Sequence, residues 1–405
     1  MRIYFDHNAT TPLDPRVANA VAEVLRDDFG NPSSVHYFGQ RAKRLVDSAR
    51  AAVASLIAAK PSEIIFTSGG TESDNFAIRG AADAPASGHR RHLIASAIEH
   101  EAVLNTLKAL ERHGWRISLL SVDASGVVSP DELAEKIDHD TALVSVMHAN
   151  NEIGTIQPIT LLAAIAHEHG ALFHTDAVQS VGKVPVDVTA LGADLLSLSA
   201  HKFNGPKGVG ALWLRRGVRL SAVQTGGRHE RNRRAGTENV PGLVGMGIAA
   251  EISKQNVGGA SASCAALRDR LENSLLESVP DTAINGARDQ RVPNTSNISF
   301  DRVEAEALLI ALDLEGIAVS TGSACSSGTL EPSHVLRAMG LPHRRVQSSI
   351  RFSLGNGNTL AEVDRVIASL PPIVKRLRGL TQASTRRRGR DDHSATQPAS
   401  SGVDR

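Results

Sequence analysis

The segment Ser199-Ala200-His201-Lys202-Phe203-Asn204-Gly205-Pro206-Lys207-Gly208 places a lysine just after an apolar run, Leu195-Leu196-Ser197-Leu198. A lysine at the end of a buried strand is poorly placed for packing and for solvent. Its amine is well placed to condense with a carbonyl as a Schiff base. Upstream, Ala171-Leu172-Phe173-His174-Thr175-Asp176 is a second strand-like run, and it ends in a carboxylate. A lysine for the Schiff base and an aspartate for a pyridinium nitrogen are the two protein groups that pyridoxal phosphate most needs. Alone, Lys202 also reads as a surface lysine in a glycine-rich turn, so other residues must decide.

Ser68-Gly69-Gly70-Thr71-Glu72-Ser73-Asp74-Asn75 follows an apolar run and opens a helical pattern. Glycines let the backbone approach an anion, and a helix N-terminus offers free N–H groups, so a phosphate is expected near Gly70 and Thr71. The segment lacks the Lys-Ser or Lys-Thr that closes a nucleotide P-loop. An ordinary helix cap would look similar. His100, at the tip of a strand-like run, could stack on a flat heterocycle and move protons. Asn151, in His148-Ala149-Asn150-Asn151-Glu152, and Gln179, three residues after Asp176, are neutral amides suited to an oxygen of a cofactor or substrate. Each alone could simply satisfy loop backbone.

Cys325 lies in Ser320-Thr321-Gly322-Ser323-Ala324-Cys325-Ser326-Ser327-Gly328-Thr329, where small polar flanks predict an exposed loop and a nucleophilic thiol. Cys264, in Ser263-Cys264-Ala265-Ala266-Leu267, is expected to begin an amphipathic helix and to be structural. Arg351, in Ser349-Ile350-Arg351-Phe352-Ser353, fits a substrate carboxylate and a structural ion pair equally well. The polar stretch from Gly226 to Asn239, which includes Thr237, reads as a basic loop that could reach a phosphate across a dimer interface. His167 and His169 are two residues apart and diverge on a helix, so they predict no metal site.

Elements must gather these groups. From about residue 63 to 214, short apolar runs alternate with amphipathic stretches such as 102–113 and 161–169. This alternation predicts parallel strands with helical crossovers, an α/β sheet covered on both faces. Ligands in such sheets bind beyond the carboxyl ends of strands, where Thr71, His100, Asn151, Asp176 and Lys202 all fall. A glycine-rich helix near 241–250 is expected to end the large domain. A smaller α+β domain follows, with a helix at about 304–314 and a last helix at about 360–377. The predicted layout is an N-terminal segment 1–14 packing with the small domain, a large domain 15–250, a small domain 251–380 and a disordered tail 381–405.

The chain has 405 residues, 41% hydrophobic and 21% charged, with a formal net charge of +1. That composition gives no global field for nucleic acid and no apolar run long enough for a bilayer. The N-terminus has no signal-peptide core, so the cytoplasm is the expected compartment. Two cysteines cannot build a disulfide framework or a cysteine-rich zinc site.

In combination, Thr67-Ser68-Gly69-Gly70-Thr71-Glu72-Ser73-Asp74-Asn75, Met147 to Thr155, His174-Thr175-Asp176-Ala177-Val178-Gln179, Ser199-Ala200-His201-Lys202 and Ser323 to Gly328 resemble the cysteine desulfurases of the NifS/IscS type. The resemblance runs in order from Tyr4 to about Leu380, and the cysteine loop is similar to the long-loop subgroup. Gly70 stands where alanine is common, and the tail has no counterpart. The resemblance implies fold-type I of the pyridoxal phosphate enzymes, usually a homodimer. It implies Lys202 as the Schiff-base lysine, His100 stacked on the ring, Asp176 at the pyridinium, and Gln179 and Asn151 near the phenolic oxygen. Gly70, Thr71, Ser199, His201 and Thr237 would surround the phosphate, Thr237 from a second subunit. Arg351 with Asn151 would bind the substrate carboxylate. The implied reaction takes L-cysteine to L-alanine and leaves the sulfur on Cys325 as a persulfide. An acceptor such as an iron–sulfur scaffold protein would follow, with only a transient iron–sulfur contact at Cys325 as metal chemistry. Competing expectations are an aminotransferase, epimerase or selenocysteine lyase of the same cofactor class, or a non-catalytic sulfur-carrier partner; Cys325 disfavours the aminotransferase, and Lys202, Asp176, His100 and Cys325 together disfavour the carrier.

Overall fold

The computed structural model describes residues 2–84, 88–322 and 332–394. Among the described residues the strands are β1 (Ile3–Tyr4), β2 (Ile64–Thr67), β3 (His92–Ser96), β4 (Arg116–Leu120), β5 (Thr141–Ser145), β6 (Leu172–Asp176), β7 (Leu195–Ser199), β8 (Gly210–Leu214), β9 (Thr282–Asn285), β10 (Thr295–Phe300), β11 (Ile317–Ala318) and β12 (Ser349–Ser353). Seven form one sheet in the order β2-β8-β7-β6-β5-β3-β4. Strands β7, β6, β5, β3 and β4 are parallel to one another, whereas β8 runs antiparallel to both β7 and β2. The strands that are buried on both faces are continuous apolar runs, as a doubly covered sheet requires.

Each face has its own core. One holds Val46, Val53, Phe66, Val144, Phe173, Leu196 and Met246, and the other Phe76, Ile78, Leu93, Leu107, Leu143 and Leu212. The crossovers carry clear start signals: Asp14 caps the helix Pro15–Asp27 and Ser129 caps Pro130–Lys136, each with proline at the first turn. The second sheet, β12-β10-β9, is antiparallel and packs with Leu271, Leu275, Leu308, Val363 and Val366.

The N-terminal segment touches both sheets' surroundings. Strand β1 pairs parallel with β11, and Asp6 bridges to Ser353 on β12. Beyond it, Thr11 N–H donates to the His201 carbonyl at 2.9 Å, and Asn204 N–H donates to Thr11 Oγ1 at 2.8 Å. Residues 3–7 thus run along β11 and then β12, while residues 8–14 pin the turn that carries Lys202.

Three expectations are corrected. The helix at 241–250 does not end there: one helix runs Val240–Ser278, through the expected boundary at residue 250 and through Gly258 and Gly259. Cys264 lies in its middle rather than at a helix start, and is 5% exposed. Glycine lowers helix propensity without forbidding the helix, and here tertiary packing of the flanking residues dominates. The last helix runs Leu360–Ser394, so residues 381–394 of the expected disordered tail are helical. Residues 373–394 hold no proline and several arginines, which are good helix formers. Residues 395–405 lie outside the described part.

A Cβ added at Gly258 or Gly259 meets nothing within 4 Å, and neither residue has positive φ. Gly258→Ala and Gly259→Ala should each stabilise the protein by about 0.5–1 kcal/mol through helix propensity and loss of unfolded-state freedom. Chemical denaturation measures this. A lower midpoint in either variant would contradict an unbroken helix there.

Candidate active site

The carboxyl ends of β6 and β7 deliver the two key side chains. Asp176 is the last residue of β6, and Lys202 ends the short turn Ala200–Lys202 after β7. They line one cavity of about 340 Å³ with Asn8, Ala9, Gly70, Thr71, Asp74, His100, Met147, Asn151, Val178, Gln179, Ser199, His201, Ser320, Gly322 and Arg351. That size suits a small cofactor with its substrate. Of the expected site residues, Gly70, Thr71, His100, Asn151, Asp176, Gln179, Ser199, His201, Lys202 and Arg351 therefore meet in one place. Thr237 is exposed and does not line this cavity in the single chain. Cys325 lies outside the described residues, which end at Gly322 and resume at Pro332 on either side of it.

Lys202 Nζ donates to the main-chain carbonyls of Asn8 at 2.6 Å and Ala9 at 2.9 Å. Burial, reinforced by the nearby Arg351 charge, lowers its pKa to about 8. Asp176 is 6% exposed; its Oδ1 accepts Val178 N–H at 2.9 Å. Burial lifts this carboxyl above its ordinary range, against the pull of the His100 and Lys202 charges. Beside it Asp74 is 1% exposed, with a buried Oδ1 that has no hydrogen-bond partner. Burial first, and then the Asp176 charge, push Asp74 well above the ordinary carboxylate range.

The helix Gly70–Ala82 begins at Gly69 with no side-chain cap, which leaves first-turn N–H groups facing the cavity mouth. A Cβ at Gly210 would lie 2.6 Å from Gly69 Cα, so the start of β8 must be glycine for this loop to sit against it. A Cβ at Gly70 would meet Val178 Cγ2 at 2.8 Å, so a larger residue there would require the Val178 side chain to shift. His201 Nδ1 lies 3.1 Å from Thr10 Oγ1, and burial lowers its pKa to about 4, so it is a neutral ring at this end.

His100 caps the helix Glu101–Glu111, its Nδ1 accepting Ala102 N–H at 3.0 Å. Arg351 is 4% exposed. Its NH2 group bonds Asp6 Oδ1 at 2.7 Å, its NH1 group donates to the Asn151 carbonyl at 3.0 Å, and its Nε has no partner. The two readings of Arg351 thus coexist: it is ion-paired and it also faces the cavity. The pair His167 and His169 separates as expected, His167 Nε2 lying 2.9 Å from the buried Asp194 carboxylate and His169 Nδ1 against the Ile165 carbonyl. Among the described residues no cluster of three or more histidines, cysteines or acids is placed to hold a metal.

Sequence reasoning missed Asn8, Ala9, Asp74 and Ser320. Asp74 carried a usable signal, being a carboxylate one helical turn after the phosphate-type glycines. Asn8 carried none, because its partner Lys202 is 194 residues away.

The site suits pyridoxal phosphate on its own features. It has an amine held only by carbonyls, a buried carboxylate with no cation paired to it among the described residues, and an uncapped helix start. The family profile described as Aminotransferase class-V matches residues 3–366. The chain is 51% identical over 379 residues to a cysteine desulfurase of Trichormus azollae, covering 94% of each chain. Among solved structures it is similar to a NifS-like protein, with TM-score 0.87 and 40% identity, covering 93% of this chain and all of that one. It is also similar to the protein titled SspA in complex with cysteine, with TM-score 0.78 and 35% identity, over 89% of this chain and all of that one. A matching profile over most of the chain, a relative at this identity and a cavity of this composition agree: the chain belongs to the class-V aminotransferase family and, within it, to the cysteine desulfurases.

Proposed function

We propose that this cavity holds pyridoxal phosphate on Lys202 and takes sulfur from L-cysteine onto Cys325, leaving L-alanine. The observation that carries the reading is Lys202 Nζ, an amine with a pKa near 8 set between Asn8 and Ala9 carbonyls in a cavity it shares with Asp176. The cofactor supplies an electron sink for the substrate α-carbon. The uncapped N–H groups at Gly70 and Thr71, with Ser199 and the neutral His201, would receive its phosphate, and Asp176 would face its ring nitrogen. The Arg351 guanidinium, with its unpaired Nε, and Asn151 would receive the substrate carboxylate. Lys202 Nζ is the base placed to hold the α-proton, because near neutral pH a useful fraction of it is uncharged. His100 is the second group able to move a proton at the cavity wall. The Cys325 thiolate attacks the substrate sulfur; an S–S bond forms, the C–S bond breaks, and the carbon takes up a proton to give alanine. Atoms and electrons balance with no external oxidant. The thiolate chemistry needs a reducing compartment, for which the cytoplasm is the natural site, and an acceptor such as an iron–sulfur scaffold protein to receive the sulfur.

We also infer a homodimer. Phe29, Val35 and Tyr37 are 77%, 92% and 65% exposed, and Phe29 packs on Phe38 with ring centroids 5.0 Å apart. Such a patch needs a cover. A second copy would cover it and bring an exposed Thr237 to the neighbouring phosphate site. Sedimentation should find a dimer, weakened by Phe29→Ser with Phe38→Ser; a wild-type monomer at micromolar concentration would contradict it.

The sulfur step has its own test. Cys325→Ala should still bind pyridoxal phosphate and L-cysteine but release no sulfide under reductant. Cys264→Ala should keep wild-type release, because burial lifts the Cys264 thiol to about 11 and leaves it a poor nucleophile. Mass spectrometry after cysteine without reductant should find one added sulfur on the Cys325 peptide. Full sulfide release by Cys325→Ala, or the added sulfur on Cys264, would overturn the reading.

A further inference from the structure

Lys183 is a buried amine that the reading above does not use. It follows Gly182, whose φ is +79° and where a Cβ would meet Phe203 Cβ at 2.6 Å. The turn is therefore sterically fixed, and it sets Lys183 against Gln179 and Asn8, two residues that line the cavity. Its Nζ donates to Gln179 Oε1 at 2.5 Å and to Asn8 Oδ1 at 2.9 Å. The charges that act on it are the cations Lys202 and Arg351 and the Cys264 thiol, with no carboxylate among them. A lysine without a counter-ion, bonded to two amides, is not explained as a structural ion pair.

We propose that Lys183 is a positioning residue that fixes the amides of Gln179 and Asn8, and so sets which groups the cavity offers to cofactor and substrate. The inference rests on the pyridoxal phosphate reading and deepens it. An amine donates, so Gln179 must turn its oxygen to Lys183. A main-chain carbonyl only accepts, so Gln179 Nε2 must face the Asn8 carbonyl, which it does at 2.9 Å. The second N–H of that amide is left for the cavity that Gln179 lines. Asn8 is fixed in the same way. Its Oδ1 receives Lys183 and, at 3.0 Å, Asn294 Nδ2. Its Nδ2 is left to donate to the Asn151 carbonyl at 3.0 Å and to Thr295 Oγ1 at 2.8 Å. Its own main-chain carbonyl holds Lys202 Nζ. One amine therefore orients three contributors to the site: Gln179, Asn151 and Lys202.

The arrangement does not depend on the charge of Lys183. Burial, with Lys202 and Arg351 nearby, drives its pKa well below the usual lysine value. A neutral amine still has two N–H donors, and both are in use. On its far side Lys183 borders a second cavity of about 40 Å³, shared with Lys202, His7 and Cys264. That space holds on the order of one water and no competing acid among its lining residues.

The test uses the full chain loaded with pyridoxal phosphate. Lys183→Met keeps the stem and removes both donors. Its bound cofactor should show a displaced visible absorption band, because the Gln179 amide loses the bond that holds its oxygen and no longer presents its free N–H at a fixed angle. Its kcat should fall about tenfold, with KM for L-cysteine changed less than about threefold. Lys183→Arg, which still donates to both oxygens, should restore the band. Gln179→Glu, nearly isosteric, removes the same donor and should displace the band in the same direction even where Lys183→Met fails to fold. In a double-mutant cycle, Lys183→Met should add less than about twofold to Gln179→Glu. A wild-type band in Lys183→Met or in Gln179→Glu, or additive losses in the cycle, would overturn this inference alone. A wild-type protein that binds no pyridoxal phosphate would overturn the reading beneath it.

Discussion

The site depends on burying one amine without neutralising it. A lysine ammonium removed from water loses solvation that only a counter-ion or several acceptors can replace. Lys202 receives two main-chain carbonyls, from Asn8 and Ala9, and no carboxylate at ion-pair distance among the described residues. The result is an amine that is half uncharged near pH 8 rather than near the ordinary lysine value. A base and Schiff-base nucleophile is needed in that range, and the fold supplies it by desolvation rather than by a special residue.

The acceptors come from far away in sequence, and this explains the path of the N-terminal segment. Its first residues are stitched to β11 and to the edge of the small sheet: Phe5 N–H donates to the Ala318 carbonyl on β11, and His7 N–H to the Ser353 carbonyl on β12. Asn8 N–H then donates to Ser353 Oγ at 3.0 Å. The next residues cross to the Lys202 turn through Thr10 and Thr11. The same crossing brings Asp6 to Arg351, so the amine and the guanidinium are placed by one short stretch of chain. Any relative motion of the two sheets would be felt at both groups. The small sheet therefore matters to the chemistry although the cofactor-type residues lie mainly on the large one.

Much of this was legible in the sequence, for a physical reason. Asp176, Lys202, His100 and Thr71 follow strands or open helices, and parallel sheets gather such positions at one end. Strands β3, β6 and β7 were visible as short apolar runs because they are buried on both faces. The antiparallel β8 was not foreseen, since a hairpin-like return after Lys202 looks locally like any other buried strand. The helix Val240–Ser278 reads in the sequence as two, a glycine-rich one near 241–250 and an amphipathic one starting at Cys264, while nothing in the fold forces a break between them. Asn8 was invisible because the value of a backbone carbonyl depends on what folds against it. Arg351 could not be decided from its type alone, and the structure gives it a carboxylate partner and a place in the cavity wall together.

The most direct measurement is the pH dependence with which the cofactor-free protein condenses with pyridoxal phosphate, scored as borohydride-trapped Lys202 peptide. Between about pH 6 and 10 the rate should rise with deprotonation of Lys202, pass half its plateau near pH 8 and level off above about pH 9, well below the range of an ordinary lysine. A rate still climbing past pH 10, or trapping on Lys207 instead of Lys202, would contradict the account.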